Sequence, residues 1–365
     1  MRSLSRSLAA VAALGTLATT TLARPAAATS YDLPGSDVAI YDLVGTVKVE
    51  PGTGPHVTVD VTPVGRDAAK LKVETGELGG RQTLRVVFPL DDIVDPGLGR
   101  WSGSDIAVRE DGRFDDTSMR GLAAIFRRHV HIKGSGSGTE AHADLVVRVP
   151  RGLKVSLYNG VGRMSADGVD ADVLLDGSAT AVETHGTKGA LKVDVGSGEV
   201  SVENADGLTL VDTGSGNVRV SQVSGDSIKL DTGSGEVSGS SVRARALNVD
   251  TGSGSVRLAA VDAPEFLCDT GSGSVAVTLL GSPYRIRVDT GSGSVDLGLP
   301  ASTGARLHAD TGSGDVQCDL PITRTHRDSG SLSGVLGDGR GTIRLDTGSG
   351  SIHLHAGSAP THVAE

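Results

Sequence analysis

The chain repeats one five-residue phrase, Asp-Thr-Gly-Ser-Gly, seven times, beginning at Asp212, Asp231, Asp250, Asp269, Asp289, Asp310 and Asp346. A variant with valine in place of threonine begins at Asp194, and a degenerate copy stands at Asp328. Consecutive copies from Asp194 to Asp310 start 18 to 21 residues apart. A fixed period of this length is typical of a stack of similar units, each of which buries its apolar side against its neighbours.

Strand-like alternation flanks every copy. With the repeat aspartate as position 0, positions −3 and −1 are mostly apolar, position +6 is always β-branched and position +8 is mostly apolar, as in Leu247, Val249, Val256 and Leu258. Polar residues lie between them, which is the period-two pattern of strands. The glycines at +2 and +4 supply either a positive φ or a close backbone approach at a corner. Antiparallel hairpins would need a second sharp turn, and only one is visible. The pattern therefore predicts an all-β fold, a right-handed single-chain parallel β-solenoid with about 18–21 residues per rung.

The chain divides into five predicted segments. Residues 1–28 read as a signal peptide, 29–90 as N-terminal solenoid rungs, 91–142 as a polar insert, 143–355 as the main solenoid and 356–365 as a polar tail. The insert carries Trp101, a short predicted helix at 118–128 and a basic cluster of Arg120, Arg127, Arg128 and Lys133. An insertion of this size is either a packing loop or a functional appendage, and the sequence leaves both open.

The first residues have the features of an export signal. Arg2 and Arg6 precede a short apolar run, and Ala26-Ala27-Ala28 offers a cleavage site after Ala28. Cleavage there would change the net charge from −10 to −13, because it removes three arginines and no acid. This balance disfavours nucleic acid and anionic lipid as partners, and no later stretch reads as an integral membrane segment. We therefore expect a secreted or periplasmic protein.

The repeat aspartates are the first candidate for chemistry. In a solenoid they would form a column with a spacing of about 4.8 Å. One interpretation is that each aspartate caps its own turn by accepting the N–H groups of the following Gly and Ser. The alternative is that the column binds calcium, which accepts carboxylate and backbone oxygens. Thr at +1 and Ser at +3 would form hydroxyl ladders that hold adjacent corners together.

No other motif predicts catalysis. Leu267-Cys268-Asp269 and the residues after it resemble the active-site phrase of pepsin-like aspartic proteases, but that chemistry needs two paired carboxylates and not seven evenly spaced ones. Cys268 and Cys318 fall at inward positions and are expected to be buried apolar residues. The histidines lack ligand spacing and are expected at the surface, namely His129, His131, His142, His353 and His355. The sequence therefore assigns no catalytic, cofactor-binding or metal-binding residue and predicts no cofactor.

The repeated Asp-Thr-Gly-Ser-Gly-Ser-Val rungs, together with Ser36-Asp37-Val38-Ala39, resemble a large bacterial family of proposed adhesins with β-strand repeats, a domain of unknown function. The likeness covers about residues 36–355 apart from the insert. It implies a β-helical protein of the cell envelope or the extracellular space, and it brings no catalytic residues.

These observations predict a non-catalytic adhesin or cell-envelope binding or structural module, not an enzyme. Its partners would be a glycan, the cell wall or a surface protein, and not nucleic acid. Two alternatives remain, a calcium-stabilised extracellular scaffold and a polysaccharide-active enzyme. The enzyme would need aromatic sugar platforms, which a chain with 2% aromatic residues scarcely supplies.

Overall fold

The fold is all-β, as the alternation predicts. The structure is a computed structural model and describes residues 27–99, 103–114 and 127–357. Within those ranges there is no α-helix, only two short 3-10 turns at Ala68–Lys70 and Pro96–Leu98. No helix in the described part of the chain is long and apolar enough to cross a membrane. Most of the predicted signal peptide, Trp101 and most of the predicted helix at 118–128 lie outside the described residues.

Residues 29–167 contribute ten strands to two sheets. The strands are β1 (Thr29–Leu33), β2 (Asp37–Gly52), β3 (Val57–Val64), β4 (Lys72–Leu78), β5 (Arg81–Val87), β6 (Asp92–Val94), β7 (Gly103–Arg109), β8 (Arg127–Lys133), β9 (His142–Pro150) and β10 (Lys154–Asp167). Strands β6, β8 and β7 form a small separate sheet, so the described part of the insert is ordered β structure. Arg127 and Arg128, the end of the predicted helix, lie in strand β8.

The rest of the chain belongs to the large sheet. Its strands are β11 (Asp172–His185), β12 (Leu191–Ser197), β13 (Val200–Glu203), β14 (Thr209–Thr213), β15 (Val218–Thr232), β16 (Val237–Thr251), β17 (Val256–Asp262), β18 (Glu265–Thr270), β19 (Val275–Leu279), β20 (Arg285–Thr290), β21 (Val295–Leu299), β22 (Ala305–Thr311), β23 (Val316–Cys318), β24 (Ile322–Arg327), β25 (Ser331–Leu336), β26 (Gly341–Thr347) and β27 (Ile352–Ala356). From β10 to β21 each rung pairs in parallel with the rung one repeat further along the chain.

The interior is a column of aliphatic side chains, as the apolar positions predict. In one rung Leu247, Val249, Val256 and Leu258 are at most 3% exposed. The repeat threonine, Thr251, is also buried, so the inward alternation continues from −3 and −1 to +1 before the corner. Stacked Val, Leu and Ile supply most of the apolar surface that is removed from water, and few aromatic rings, such as Phe266, share the interior.

The corner glycines permit close stacking of successive rungs. A Cβ added to Gly254 would lie 1.7 Å from the carbonyl oxygen of Gly235, and one added to Gly252 would lie 2.4 Å from that of Gly233. Neither Gly252 nor Gly254 has a positive φ. Of the two roles that the sequence allowed for these glycines, close backbone approach is the one they perform here.

A second bend recurs ten residues after four consecutive repeat aspartates. Asn204, Gln222, Ser241 and Ala260 adopt left-handed conformations with φ between 53° and 57°. Residues other than glycine rarely adopt this conformation. Its recurrence at the equivalent position of four successive rungs indicates that the stacking of the rungs determines the bend. The sequence contains no glycine that would have revealed it.

Rung order differs from chain order at the C-terminal end. Strand β26 pairs in parallel with β20 on one side and β22 on the other, and β27 lies in the same way between β21 and β23. The last repeat, at Asp346, is thus intercalated between those at Asp289 and Asp310. Strands β24 and β25 form an antiparallel hairpin that covers the outer edge of β22. Asp328 lies in the turn of this hairpin and outside the column, so the interpretation of Asp328 as a degenerate rung is wrong.

The N-terminal end shows a similar reversal. Strand β2 pairs in parallel with β10 on one side and with β5 and β9 on the other, although β5 and β9 follow it in the chain. Strands β1, β3 and β4 are attached by antiparallel pairing. Because all rungs present similar edges, the sequence pattern does not specify which rung lies next to which at either end.

Candidate functional site

The predicted aspartate column forms. Parallel register places Asp176 beside Asp194 and continues through every repeat aspartate to Asp289, Asp346 and finally Asp310. In several rungs a cation two residues earlier on the same outward face pairs with the carboxylate. Lys229 lies 2.9 Å from Asp231, and Arg344 lies 2.7 Å from Asp346. The column is therefore partly solvated and interleaved with positive charge.

The expected turn-capping role belongs to threonine. The amide of Gly273 donates to the Oγ1 of Thr270 over 3.1 Å, and Thr270 in turn donates to the carbonyl oxygen of Gly254 in the preceding rung. The same pair of bonds recurs at Thr232, Thr251, Thr290 and Thr347. At Thr213, Thr232, Thr251, Thr270, Thr290 and Thr347 the acceptor of the corner N–H is the threonine and not the preceding aspartate, so the capping interpretation is wrong in these corners. Asp328 does accept the amide of Gly330, but on the terminal hairpin.

Mutual repulsion within the column affects individual carboxylates. Partial burial, with Asp231 and Asp194 as neighbours, raises the pKa of Asp212. Partial burial, with Asp231 and Asp269 as neighbours, raises the pKa of Asp250. Among the described residues no three His, Cys, Asp or Glu side chains converge in a geometry that would hold a metal ion. The column is a linear array of carboxylates rather than a closed coordination site.

Each predicted histidine and cysteine has an identifiable environment. His129 and His131 both lie 2.8 Å from Asp105, and His142 lies 3.8 Å from Asp95. Cys268 is buried, and burial raises the pKa of its thiol; Cys318 is half-buried and its thiol pKa is also raised by burial. Both cysteines are free.

Two members of the predicted basic cluster form ion pairs. Arg128 lies 2.7 Å from Asp91, and Lys133 lies 2.8 Å from Asp92. Arg127 is exposed at the start of strand β8, and Arg120 lies outside the described residues. At Arg128 and Lys133 the positive charge is therefore balanced by a neighbouring carboxylate.

A surface recess lies elsewhere in the described part of the chain, on the strands that follow the corners. We call it the rung groove; it has a volume of about 590 Å³ and runs across β2, β10, β11, β13 and the start of β15. Its polar lining consists of Lys48, Arg163, Ser165, Asp167, Glu183, Thr184, His185, Glu199, Ser201, Glu203 and Arg219. None of these residues was singled out from the sequence.

Strand alternation and parallel register place these side chains together. Along one outward column, Lys48 lies beside Ser165, Ser165 beside Glu183, Glu183 beside Ser201 and Ser201 beside Arg219. Charged and hydroxyl side chains thus recur at rung spacing along the groove. The only sequence signal is the polar half of each period-two pattern, which is equally present on faces without a recess.

The charges of the rung groove largely neutralise one another. Arg163 pairs with Glu183 at 2.6 Å, and Arg219 contacts Glu199. His185 lies 3.7 Å from Glu203. Because Arg and Lys offer only donors and carboxylates only acceptors, such a surface presents both kinds of hydrogen-bonding group to a ligand at low net charge.

A second recess has Arg163 in common with the rung groove. We call it the insert cavity; it has a volume of about 530 Å³ and lies between the turn at Asp95–Leu98 and the rung strands. Thr46 donates its hydroxyl to Asp144 over 2.5 Å on one wall. Asp95 accepts the amide of Gly97 on the other wall and shapes the turn. Residues of the insert therefore form part of the wall of the insert cavity.

Aromatic packing fixes the insert against the first rungs. Tyr41 of β2 and Tyr158 of β10 stack with ring centroids 4.4 Å apart, at the register position that the aspartate column occupies further along. Phe114 of the insert meets Tyr41 edge-on at 6.1 Å. All three rings are buried. This contact holds the described part of the insert beside the groove as a packed element.

A buried carboxyl lies beneath the insert cavity. Asp42 is fully buried, and the loss of hydration, together with the nearby charge of Asp144, raises its pKa well above the ordinary value. The Nδ2 of Asn159 lies 3.5 Å from its Oδ2. Asp42 occupies the register position that threonine takes in the repeats.

Comparison with known proteins identifies the family. The profile of the family described as Toastrack DUF4097 matches residues 129–355, well over half of the chain. The chain belongs to this family. The predicted resemblance to a family of β-strand repeats of unknown function is thereby confirmed. The Toastrack region contains every repeat corner and most of the rung groove, whereas Lys48 and the Asp95–Leu98 turn lie outside it.

Two other comparisons add little to the family assignment. No curated protein sequence matches the chain. A crystal structure of a proposed cell adhesion protein from Clostridium sporogenes is similar over 90% of this chain and 98% of that one, at 12% identity and a TM-score of 0.19. At that TM-score the likeness establishes neither a common fold nor a common function.

Proposed function

We propose that this Toastrack protein is a secreted or periplasmic, non-catalytic binding module of the cell envelope, wound as a right-handed parallel β-solenoid. Its ligand is an extended polar polymer, cell-wall glycan in the first instance, held in the rung groove and the insert cavity. The observation that carries the proposal is that Arg163 lines both recesses, which therefore lie next to each other. The rung groove alone spans several rungs.

The chemistry of the groove supports a hydroxyl-rich ligand. Its side chains are polar and paired, and its lining contains no aromatic residue. Recognition would rest on hydrogen bonds rather than on stacking, and the low net charge favours neither polyanion nor polycation. The parallel register of the described rungs and the right-handed rule for parallel crossovers support the proposed winding. The export signal in the sequence supports the proposed location.

Cosedimentation of the mature chain with purified cell-wall sacculi tests the proposal. Arg163→Ala should weaken binding about tenfold or more, because Arg163 belongs to both recesses. The matched control is Arg245→Ala, which removes an equally exposed arginine paired with Asp226 at 2.9 Å, away from the groove. Equal binding by wild type and both variants, or no binding by wild type, would contradict the proposal.

The aspartate column supports a second candidate, a calcium-stabilised scaffold. Carboxylates in register over nine rungs are an array that bridging cations would stabilise. Thermal unfolding by circular dichroism, with calcium and then with a chelator, separates the two candidates. A melting temperature that falls on chelation supports the scaffold, and an unchanged one removes it.

A further inference from the structure

The intercalated last rung is fastened to both neighbours by one histidine. Strand β27 lies between β21 and β23, and its His353 is in register with Asp296 on one side and Gln317 on the other. The Nδ1 of His353 lies 3.1 Å from an oxygen of Asp296. Its Nε2 lies 2.9 Å from an oxygen of Asp319, just beyond β23. The imidazole therefore connects the two rungs that the last repeat separates.

These two contacts determine the protonation state. A neutral imidazole has one N–H and one acceptor nitrogen, so it can donate to only one carboxylate. With a carboxylate at each nitrogen, the second contact would set a lone pair against a negative oxygen. The geometry is therefore that of an imidazolium between two carboxylates. In agreement with this, the hydrogen bond to Asp319, followed by the charges of Asp319 and Asp296, raises the pKa of His353.

The surrounding groups reinforce the arrangement. His355 on the same strand lies 3.5 Å from Asp296, and its ring centroid is 5.2 Å from that of His353. From β23, Gln317 donates its amide to the other oxygen of Asp319 over 2.9 Å. The titratable groups that face His353 are thus Asp296 from β21, Asp319 beyond β23 and His355 from β27.

We propose that His353 is a proton-dependent pin that holds the last rung, residues 341–356, in its place between the rungs at Asp289 and Asp310. Protonated, it joins both neighbours; deprotonated, it releases one of them and the rung opens more readily. Because the folded-state pKa is raised, the stabilisation is fully present below the ordinary histidine pKa of about 6.5 and is lost as pH rises through the raised value. The last rung is thus held most firmly at mildly acidic pH.

Hydrogen exchange of the mature chain at pH 5.5 and 8.5, corrected for intrinsic exchange rates, tests the pin. Opening of residues 341–356 should increase about two- to fivefold at the higher pH, the range for an exposed ion pair, while β15 and β16 stay unchanged. His353→Gln should remove this pH dependence. Asp296→Asn with Asp319→Asn should do the same while preserving side-chain shape.

His185→Gln is the control. That exposed histidine faces Glu203 on a rung far from the last one, so its replacement should leave the pH dependence of residues 341–356 intact. A titration of the His353 ring by NMR gives an independent readout. A midpoint at or below that of the unstructured peptide 350–357 would overturn the proposal. An unchanged pH dependence in His353→Gln would overturn it equally.

Discussion

Thr270 joins its own corner to the one before it, because its hydroxyl donates to the carbonyl oxygen of Gly254 over 3.1 Å. The hydroxyl oxygen of Thr270 in turn accepts the amide N–H of Gly273. Thr270 is 1% exposed, so water cannot replace either bond. The repeat thereby converts one buried hydroxyl per rung into a continuous hydrogen-bonded column, which accounts for the recurrence of threonine at +1.

Replacing Thr270 by valine should therefore destabilise the protein. The change keeps the volume but leaves the Gly273 amide buried and unpaired, at a cost of about 1–3 kcal/mol in the free energy of unfolding. Urea denaturation measures it. Ser272→Ala, at an exposed position of the same corner, should cost less than about 0.5 kcal/mol. Equal effects of the two changes would show that the hydroxyl column does not stabilise the stack.

Gly254→Ala should force two rungs apart. The new Cβ would lie 1.7 Å from the Gly235 carbonyl oxygen, so the backbone must shift, and we expect a loss of about 1–3 kcal/mol. Gly54→Ala is the matched control because nothing lies within 4 Å of its added Cβ. Thermal unfolding of the two variants should differ clearly. Similar melting temperatures would mean that the corners are more loosely stacked.

Asp42 should make stability fall as pH rises. Its folded-state pKa is raised by burial, so the folded state holds the proton more tightly than the unfolded state. The resulting loss begins above the unfolded value of about 3.9 and continues up to the raised folded value. Asp42→Asn should abolish this slope and exceed wild type in stability at neutral pH. Asp167→Asn, at an exposed position, should leave the slope unchanged, and a wild type without any slope would refute the argument.

Asp250→Asn should stabilise the protein slightly at low salt. The substitution relieves repulsion from Asp231 and Asp269, which contributes to the raised pKa of Asp250. We expect a gain of about 0.2–0.5 kcal/mol that disappears in 1 M salt, where such repulsion is screened. Asp226→Asn also removes a negative charge, but it breaks the pair with Arg245 and should bring no gain. If Asp250→Asn changed the free energy of unfolding by the same amount at low salt and in 1 M salt, repulsion in the column would be contradicted.

The sequence predicted the features that every rung shares. Position-by-position alternation identified the inward residues Leu247, Val249, Val256 and Leu258, because each repeat must bury the same face. The parallel register of the aspartates followed from the constant period. The sequence analysis predicted that aspartate accepts the corner N–H, whereas threonine does so in the structure. Both side chains can accept a backbone N–H, and only the direction in which each side chain points decides between them.

The repeat pattern in the sequence does not predict the features that distinguish one rung from another. The position of Asp346 between Asp289 and Asp310 depends on which of several near-identical edges is covered by the terminal hairpin. The left-handed residues Gln222 and Ala260 carry no local signal for that conformation. The rung groove combines outward side chains from five strands, and in the sequence its individual residues look like an ordinary solvated face.

A photo-crosslinking measurement tests the proposed function most directly. A benzophenone side chain replacing Ser201 lies in the rung groove, and one replacing Ser253 lies on the exposed corner face as the control. After irradiation with purified sacculi, we expect glycan adducts from position 201 and none above background from position 253. Equal labelling at the two positions, or none at position 201, would contradict the assignment of the rung groove as the binding site.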